Sequence, residues 1–204
     1  MKNSKYLDDI KDIKNLMNKS SKFISLSGWS GISIGIVALI SAYFAHTIIN
    51  VPFNAVSEFT GDAYLNIRWT LLALALVTLL ISLSLGIVFT YSKSKRIGEK
   101  IWTEQTKTLL LNLALPLAIG GLCCFVLFTK GLLILIPPFT LIFYGLSLIN
   151  ASKYTLNEIR SLGIFECILG IISLYFIGYG LLFWAIGFGV LHIIYGVIMK
   201  IKYN

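Results

Sequence analysis

The chain contains 204 residues, of which 57% are hydrophobic and only 13% charged, and its mean hydropathy is +0.84. Soluble domains carry about 25% charged residues, so this composition excludes both a disordered chain and an ordinary water-soluble fold. The formal net charge of +8 is confined to short segments between long apolar runs, as expected beside membrane helices and not for nucleic-acid binding. The sequence therefore predicts an integral membrane protein.

Residues 1–22 are predicted to form a cytoplasmic amphipathic segment. Within residues 5–19, Tyr6, Ile10, Ile13 and Met17 recur at helical spacing, while Lys and Asp occupy the opposite face. This pattern is typical of an amphipathic helix. Two interpretations remain open: the helix lies on the anionic surface of the inner leaflet, or it docks a cytosolic protein or another subunit.

Residues 23–204 are predicted to form one all-α domain of six transmembrane helices. A helix needs about 20 residues to cross a hydrocarbon core about 30 Å thick. Four runs with almost no charged residues are long enough: 23–50, 69–92, 108–152 and 161–199. The third run is divided by Lys130 and Gly131 into two spans. The last is too long for one crossing, so we expect a turn near Gly178, Tyr179 and Gly180.

The distribution of basic residues predicts the orientation of these spans. Fifteen of the 17 Lys and Arg residues precede the first span, follow the second and fourth spans, or lie at the C-terminal end, which leaves only Arg68 and Lys130 for the other side. Because cytoplasmic loops carry the excess of Lys and Arg, both termini are predicted to be cytoplasmic. Residues 51–67 would then form the only long external loop.

Small residues predict where the helices touch. Lipid supplies no hydrophobic drive between helices, so close packing depends on small side chains. Glycines recur at spacings of four or seven on one face of several helices: Gly28, Gly31, Gly35, Gly163, Gly170, Gly189 and Gly196. We interpret them as helix-packing positions within the protomer or a homo-oligomer. Pro116 and the pair Pro137 and Pro138 are predicted to kink the third and fourth helices.

Glu166 is the only carboxylate well inside an apolar span, and such a residue is expensive unless it has a partner or a function. If the last hairpin turns at Tyr179, Glu166 lies 13 residues before the turn and His192 13 residues after it, so the two reach similar depth. The alternatives are a hydrogen bond that pins the hairpin and a pair that shares a proton near neutral pH.

The sequence contains few residue patterns typical of catalytic or metal-binding sites. Cys123, Cys124 and Cys167 lie inside apolar runs without His or Cys at ligand spacing, so we expect no metal site, disulfide framework or cofactor. The segment Gly28-Trp29-Ser30-Gly31 matches the G-x-S-G sequence of rhomboid-type intramembrane proteases. Rhomboids carry that serine on the fourth helix, whereas here it lies on the first, so a protease with Ser30 and His192 is a remote alternative.

The glycine spacing of the final hairpin, residues 163–199, resembles that of small six-helix bacterial membrane proteins associated with acid resistance. The resemblance covers about a fifth of the chain and implies a multi-pass protein of the bacterial inner membrane with a stress role. The sequence thus predicts a non-enzymatic, regulatory or stress-linked membrane component. The alternative is a small transporter or channel with a proton-linked Glu166 and His192 pair. The predicted partners are the lipid bilayer, a second copy of the chain and a cytosolic protein, but no nucleic acid.

Overall fold

A computed structural model describes residues 27–49, 61–98 and 101–203. These ranges contain six main helices and no strands: α1 (Gly28–Ile49), α2 (Gly61–Ile97), α3 (Glu104–Thr129), α4 (Ile136–Ala151), α5 (Asn157–Tyr175) and α6 (Gly180–Tyr203). Short 3-10 turns, Leu133–Leu135 and Ser152–Tyr154, flank α4. Within α6, residues Ala185–Leu191 are π-helical. The predicted all-α fold is confirmed, while the amphipathic segment 5–19 lies outside the described residues.

Five of these helices are long and apolar enough to cross a membrane. They are α1, α2 from Leu65 onward, α3, α4 together with its flanking turns, and α6. The remaining helix, α5, has 19 residues and carries three charged side chains, Glu158, Arg160 and Glu166. The prediction of a helical membrane protein is therefore supported, with α5 set apart by its charge.

Two details of the predicted helices are wrong. Residues 61–67, predicted as external loop, belong to α2, which extends over 37 residues without a proline to interrupt it. Pro137 and Pro138 do not interrupt a helix but lie in the first turn of α4. Proline is tolerated there because the first N–H groups of a helix have no partner within it. Pro116, in contrast, lies inside α3.

Short connections within residues 101–203 make the consecutive helices α3 to α6 antiparallel. Gly131 (φ +73°) ends the turn between α3 and α4, and Gly178 (φ +111°) lies between α5 and α6, at the predicted turn. Both take the left-handed backbone region that glycine enters without a steric penalty. Helix α6 packs along α1, and α5 packs along α4. Helix α2 lies against the outside of α1, and α3 against the outside of α4.

Basic side chains accumulate at one end of this bundle, which we call the basic end. It holds eight of the described Lys and Arg residues: Lys93, Lys95, Arg96, Lys107, Lys153, Arg160, Lys200 and Lys202. The opposite end holds Arg68 and Lys130, and there Arg68 donates a 2.7 Å hydrogen bond to the Phe128 carbonyl at the end of α3.

An ion pair joins α5 to α6 at the basic end. Lys202 and the Tyr203 hydroxyl both donate to the Glu158 carboxylate, which lies before the apolar part of α5. Burial raises the pKa of Glu158, but the hydrogen bonds from Lys202 and Tyr203 outweigh it, so the pKa lies below its ordinary value. This pair fixes the register of α5 against α6.

Candidate functional site

The glycines of α1 and α6 bring the two backbones into direct contact. A Cβ atom built on Gly31 would lie 3.0 Å from the Gly196 Cα atom, and one on Gly35 would lie 2.6 Å from the Gly189 carbonyl oxygen. A Cβ atom on Gly28 would lie 2.5 Å from the Gly196 oxygen. These five predicted packing glycines thus face one another, with His192 on the same stretch of α6.

The other predicted glycines lie between α4 and α5. A Cβ atom on Gly163 would lie 2.7 Å from the Gly145 carbonyl oxygen, and one on Gly170 would lie 3.0 Å from the Pro138 carbonyl oxygen. Since neither backbone can give way, side chains at these positions would force the helices apart. The bundle therefore contains two tightly packed helix pairs, α1 with α6 and α4 with α5.

Glu166 and His192 meet where these two pairs join. Glu166 projects from α5 and is completely buried, and His192 projects from α6 and is 5% exposed. The His192 Nδ1 atom lies 3.5 Å from the Glu166 Oε1 atom. Neither carboxylate oxygen of Glu166 accepts a hydrogen bond from the residues that the structure describes. The structure thus brings the two sequence-predicted residues together in the interior.

Hydrogen bonds and ring contacts hold the imidazole of His192. Its Nδ1 atom lies 3.0 Å from the Gly187 carbonyl oxygen, and its Nε2 atom lies 2.9 Å from the Tyr144 hydroxyl of α4. A carbonyl oxygen only accepts, so Nδ1 carries a hydrogen, and in the neutral ring Nε2 accepts from Tyr144. The ring also stacks on Phe188 and Tyr144. The orientation of His192 toward Glu166 is thereby fixed.

The π-helical part of α6 makes room for the carboxylate. A Cβ atom at Gly187 would collide with Glu166 Oε2 and lie 2.5 Å from Leu141 Cδ2. A π-helical turn inserts an extra residue per turn and is often found at functional sites. Here it ends immediately before His192 and places the Gly187 carbonyl, five residues earlier, within reach of its ring. The absent side chain of Gly187 provides the space for Glu166.

The pair is electrically neutral when it holds one shared proton. That proton can lie on Glu166, which leaves both groups neutral, or on His192, which gives an ion pair. Removing it leaves a buried negative charge, and adding a second leaves a buried positive charge. An unpaired charge inside a membrane costs at least about 2.5–3.5 kcal/mol on insertion scales, so each change of protonation is coupled to the stability of the surrounding helices.

A cavity connects this site with the basic end. It has a volume of about 200 Å³ and is lined by α1, α3, α4, α5 and α6. Its inner end touches Tyr144 and His192, and its wall continues to Thr155, Ile159 and Met199 near the basic end. The cavity thus extends from the imidazole toward the basic end between mostly apolar walls.

Ser30 lines the same cavity, but it does not pair with His192. The Ser30 hydroxyl donates to the Ser27 carbonyl oxygen, and the two His192 nitrogens contact Gly187 and Tyr144. A serine nucleophile needs a base within hydrogen-bond distance. Ser30 and His192 therefore do not form a nucleophile and base pair in this structure.

No three His, Cys, Asp or Glu side chains of the described ranges cluster closely enough to hold a metal ion. The Cys167 thiol donates to the Ile142 carbonyl oxygen at 3.5 Å, which is a packing contact.

Comparison with protein-family models, curated proteins and solved structures finds no match to this chain.

Proposed function

We propose that this chain is a non-enzymatic, pH-responsive component of the bacterial inner membrane, with the Glu166 and His192 pair as its proton-binding site. The observation that carries the proposal is the buried carboxylate of Glu166, which has no hydrogen-bond donor among the described residues and lies 3.5 Å from an imidazole. A buried carboxylate whose only role was to hold two helices together would be expected to accept hydrogen bonds at both oxygens. A regulatory or stress-linked role would use the protonation of this pair to alter how α5 and α6 pack.

The proposal includes six membrane spans with both termini in the cytoplasm. Helix α5 is the one main helix that is not among the five apolar candidates. Its packing in the bundle supports a membrane crossing. Its first turn is tied to the end of α6 through Glu158 and Lys202, and its Gly163 and Gly170 contact successive turns of α4. The gathering of basic residues at the end with the last residues of α6 supports cytoplasmic termini.

A second candidate function, a small proton-linked transporter or channel, is favoured by the cavity between the basic end and His192. Transport requires that the site also open toward the opposite end. A proton flux into liposomes containing the purified protein, followed with an enclosed pH-sensitive dye, would separate the two. The regulatory proposal expects no flux above that of empty liposomes.

The experiment that tests the proton-binding site is thermal unfolding of the purified full chain in detergent between about pH 5 and 8. The wild type is expected to change its melting temperature across this range. Glu166→Gln keeps the size and hydrogen-bonding capacity but cannot ionise, so its response should disappear. A wild type with a flat profile would contradict the proposal.

Glu158→Gln is the matched control, because it removes a carboxylate of the same helix at the basic end. The pKa of Glu158 is lowered in the folded protein, so its contribution to stability is complete above its unfolded pKa of about 4.3. It is lost only as the pH falls through the lower folded value. Glu158→Gln should therefore lower stability by a constant amount and leave the response between about pH 5 and 8 intact.

A further inference from the structure

An apolar groove runs along the outside of α3 and α4, separate from the Glu166 site. It is a depression of about 430 Å³ that is open along one side. Leu115 and Ile119 of α3 form one wall, and Phe143 and Leu146 of α4 form the other. Three of these side chains are substantially exposed, Leu115 to 63%. The groove is therefore open to whatever surrounds the bundle.

The dimensions of the groove match one leaflet of a bilayer. It extends from Phe143 of α4 to Lys153 in the 3-10 turn that follows α4, a distance of about 15 Å at 1.5 Å per residue. A leaflet is half of a hydrocarbon core about 30 Å thick. An acyl chain that begins at the membrane surface would thus fill the groove along its length.

A lysine, Lys153, lies where the groove reaches the basic end, and its charge favours an anionic lipid head group there. Lys153 lies at the basic end, its side chain is exposed, and no carboxylate of the described residues is within ion-pair distance of it. Next to it, the Asn150 amide is held by a hydrogen bond to α3. A cation above an apolar groove complements an anionic head group above an acyl chain.

We propose that this groove binds one anionic phospholipid of the surrounding leaflet, with an acyl chain between α3 and α4 and the phosphate at Lys153. A soluble phosphate would not use the apolar walls, and a zwitterionic lipid would gain less from Lys153. Lipid binding here would stabilise the contact between α3 and α4 without involving Glu166 or His192.

Native mass spectrometry of the full chain in detergent tests this site. The protein is titrated with dioleoyl phosphatidylglycerol, with dioleoyl phosphatidylcholine, or with glycerol phosphate. One phosphatidylglycerol is expected to be retained at saturation, with an affinity about fivefold above that of phosphatidylcholine, as one lysine at the membrane surface provides. Retention of glycerol phosphate, or equal affinity for the two lipids, would overturn the proposal.

Two pairs of variants locate the site. Lys153→Ala should lower the phosphatidylglycerol affinity about fivefold, whereas Lys95→Ala, which removes an exposed lysine of α2 at the same end, should leave it unchanged. Leu115→Trp fills the groove and should abolish retention of both lipids. Leu122→Trp changes an equally exposed position of α3 outside the groove and should not. An equal effect within either pair would show that the lipid binds elsewhere.

Discussion

Some buried polar side chains of this bundle have a hydrogen-bond partner on a neighbouring helix, and others have none among the described residues. Ser41 of α1 and Thr78 of α2 share a buried hydrogen bond, so each hydroxyl is satisfied by a neighbouring helix. Glu166 is different, because its two oxygens and the Ser173 hydroxyl, two turns further along α5, have no such partner among the described residues. Leaving a buried polar group unsatisfied costs about 1–3 kcal/mol. Of these unpaired groups, Glu166 is the one whose protonation we propose to be functional.

Part of this site could be predicted from the sequence. Glu166 and His192 are conspicuous because charged and titratable groups are rare in apolar runs, and their equal distances from Tyr179 predicted similar depth. Tyr144 and Gly187 could not be found in this way. The hydroxyl of Tyr144 in an apolar run was the one signal that could have pointed to it, because a buried hydroxyl needs a partner. The π-helical turn that places Gly187 against Glu166 leaves no distinct pattern in the sequence.

Gly187→Ala tests the space that the π-helical turn provides. The added methyl group would collide with Glu166 Oε2 and Leu141, and overpacking of this kind costs about 1–3 kcal/mol. We expect a lower melting temperature and a weakened pH response, measured in detergent. Gly121→Ala is the control, since a Cβ atom there meets nothing within 4 Å. Equal melting temperatures for the two variants would contradict the described geometry.

At the scale of helices, Pro116 explains a polar contact between α3 and α4. Proline has no N–H group, so the carbonyl of Asn112, four residues earlier, has no helical donor. The Asn150 side-chain amide of α4 donates to this carbonyl at 2.9 Å. The sequence predicted a kink at Pro116 but not the residue that satisfies the freed carbonyl, because the register of α4 against α3 depends on packing.

A double-mutant cycle tests this account of the contact. Asn150→Leu should lower stability by about 1–3 kcal/mol, because it leaves the Asn112 carbonyl without a donor. In the Pro116→Ala background, position 116 supplies an N–H group to the same carbonyl, so Asn150→Leu should cost markedly less. The measurement is thermal or denaturant unfolding of the four proteins. An identical cost in both backgrounds would show that the two residues are not coupled.

At the scale of the whole molecule, the sequence predicted an all-helical membrane protein and the positions of most helices, because apolar runs of sufficient length are a strong signal. The pairing of α1 with α6 and of α4 with α5 was not predicted. Glycine spacing identified the packing faces but not which faces meet, since Gly28 and Gly163 lie on similar small-residue stripes. Helix α5 remains the test of the six-span proposal, because its charges weaken the signal for a crossing.

Labelling of Ile177 tests whether α5 crosses. Ile177 is exposed in the turn between α5 and α6. In a background without Cys123, Cys124 and Cys167, Ile177→Cys should react with a membrane-impermeant maleimide from outside intact cells. Lys95→Cys at the basic end should react only after the cells are opened. If both positions were labelled only in opened cells, α5 would not cross and the six-span proposal would fail.

The central claim is that Glu166 binds and releases a proton inside the membrane, and infrared spectroscopy tests it most directly. The carbonyl stretch of a protonated carboxyl group is recorded for the full chain in lipid bilayers between about pH 5 and 8. We predict a band in the wild type that changes over this range, is missing in Glu166→Gln and persists in Glu158→Gln. A spectrum in which Glu166→Gln removes no pH-dependent band would contradict the claim.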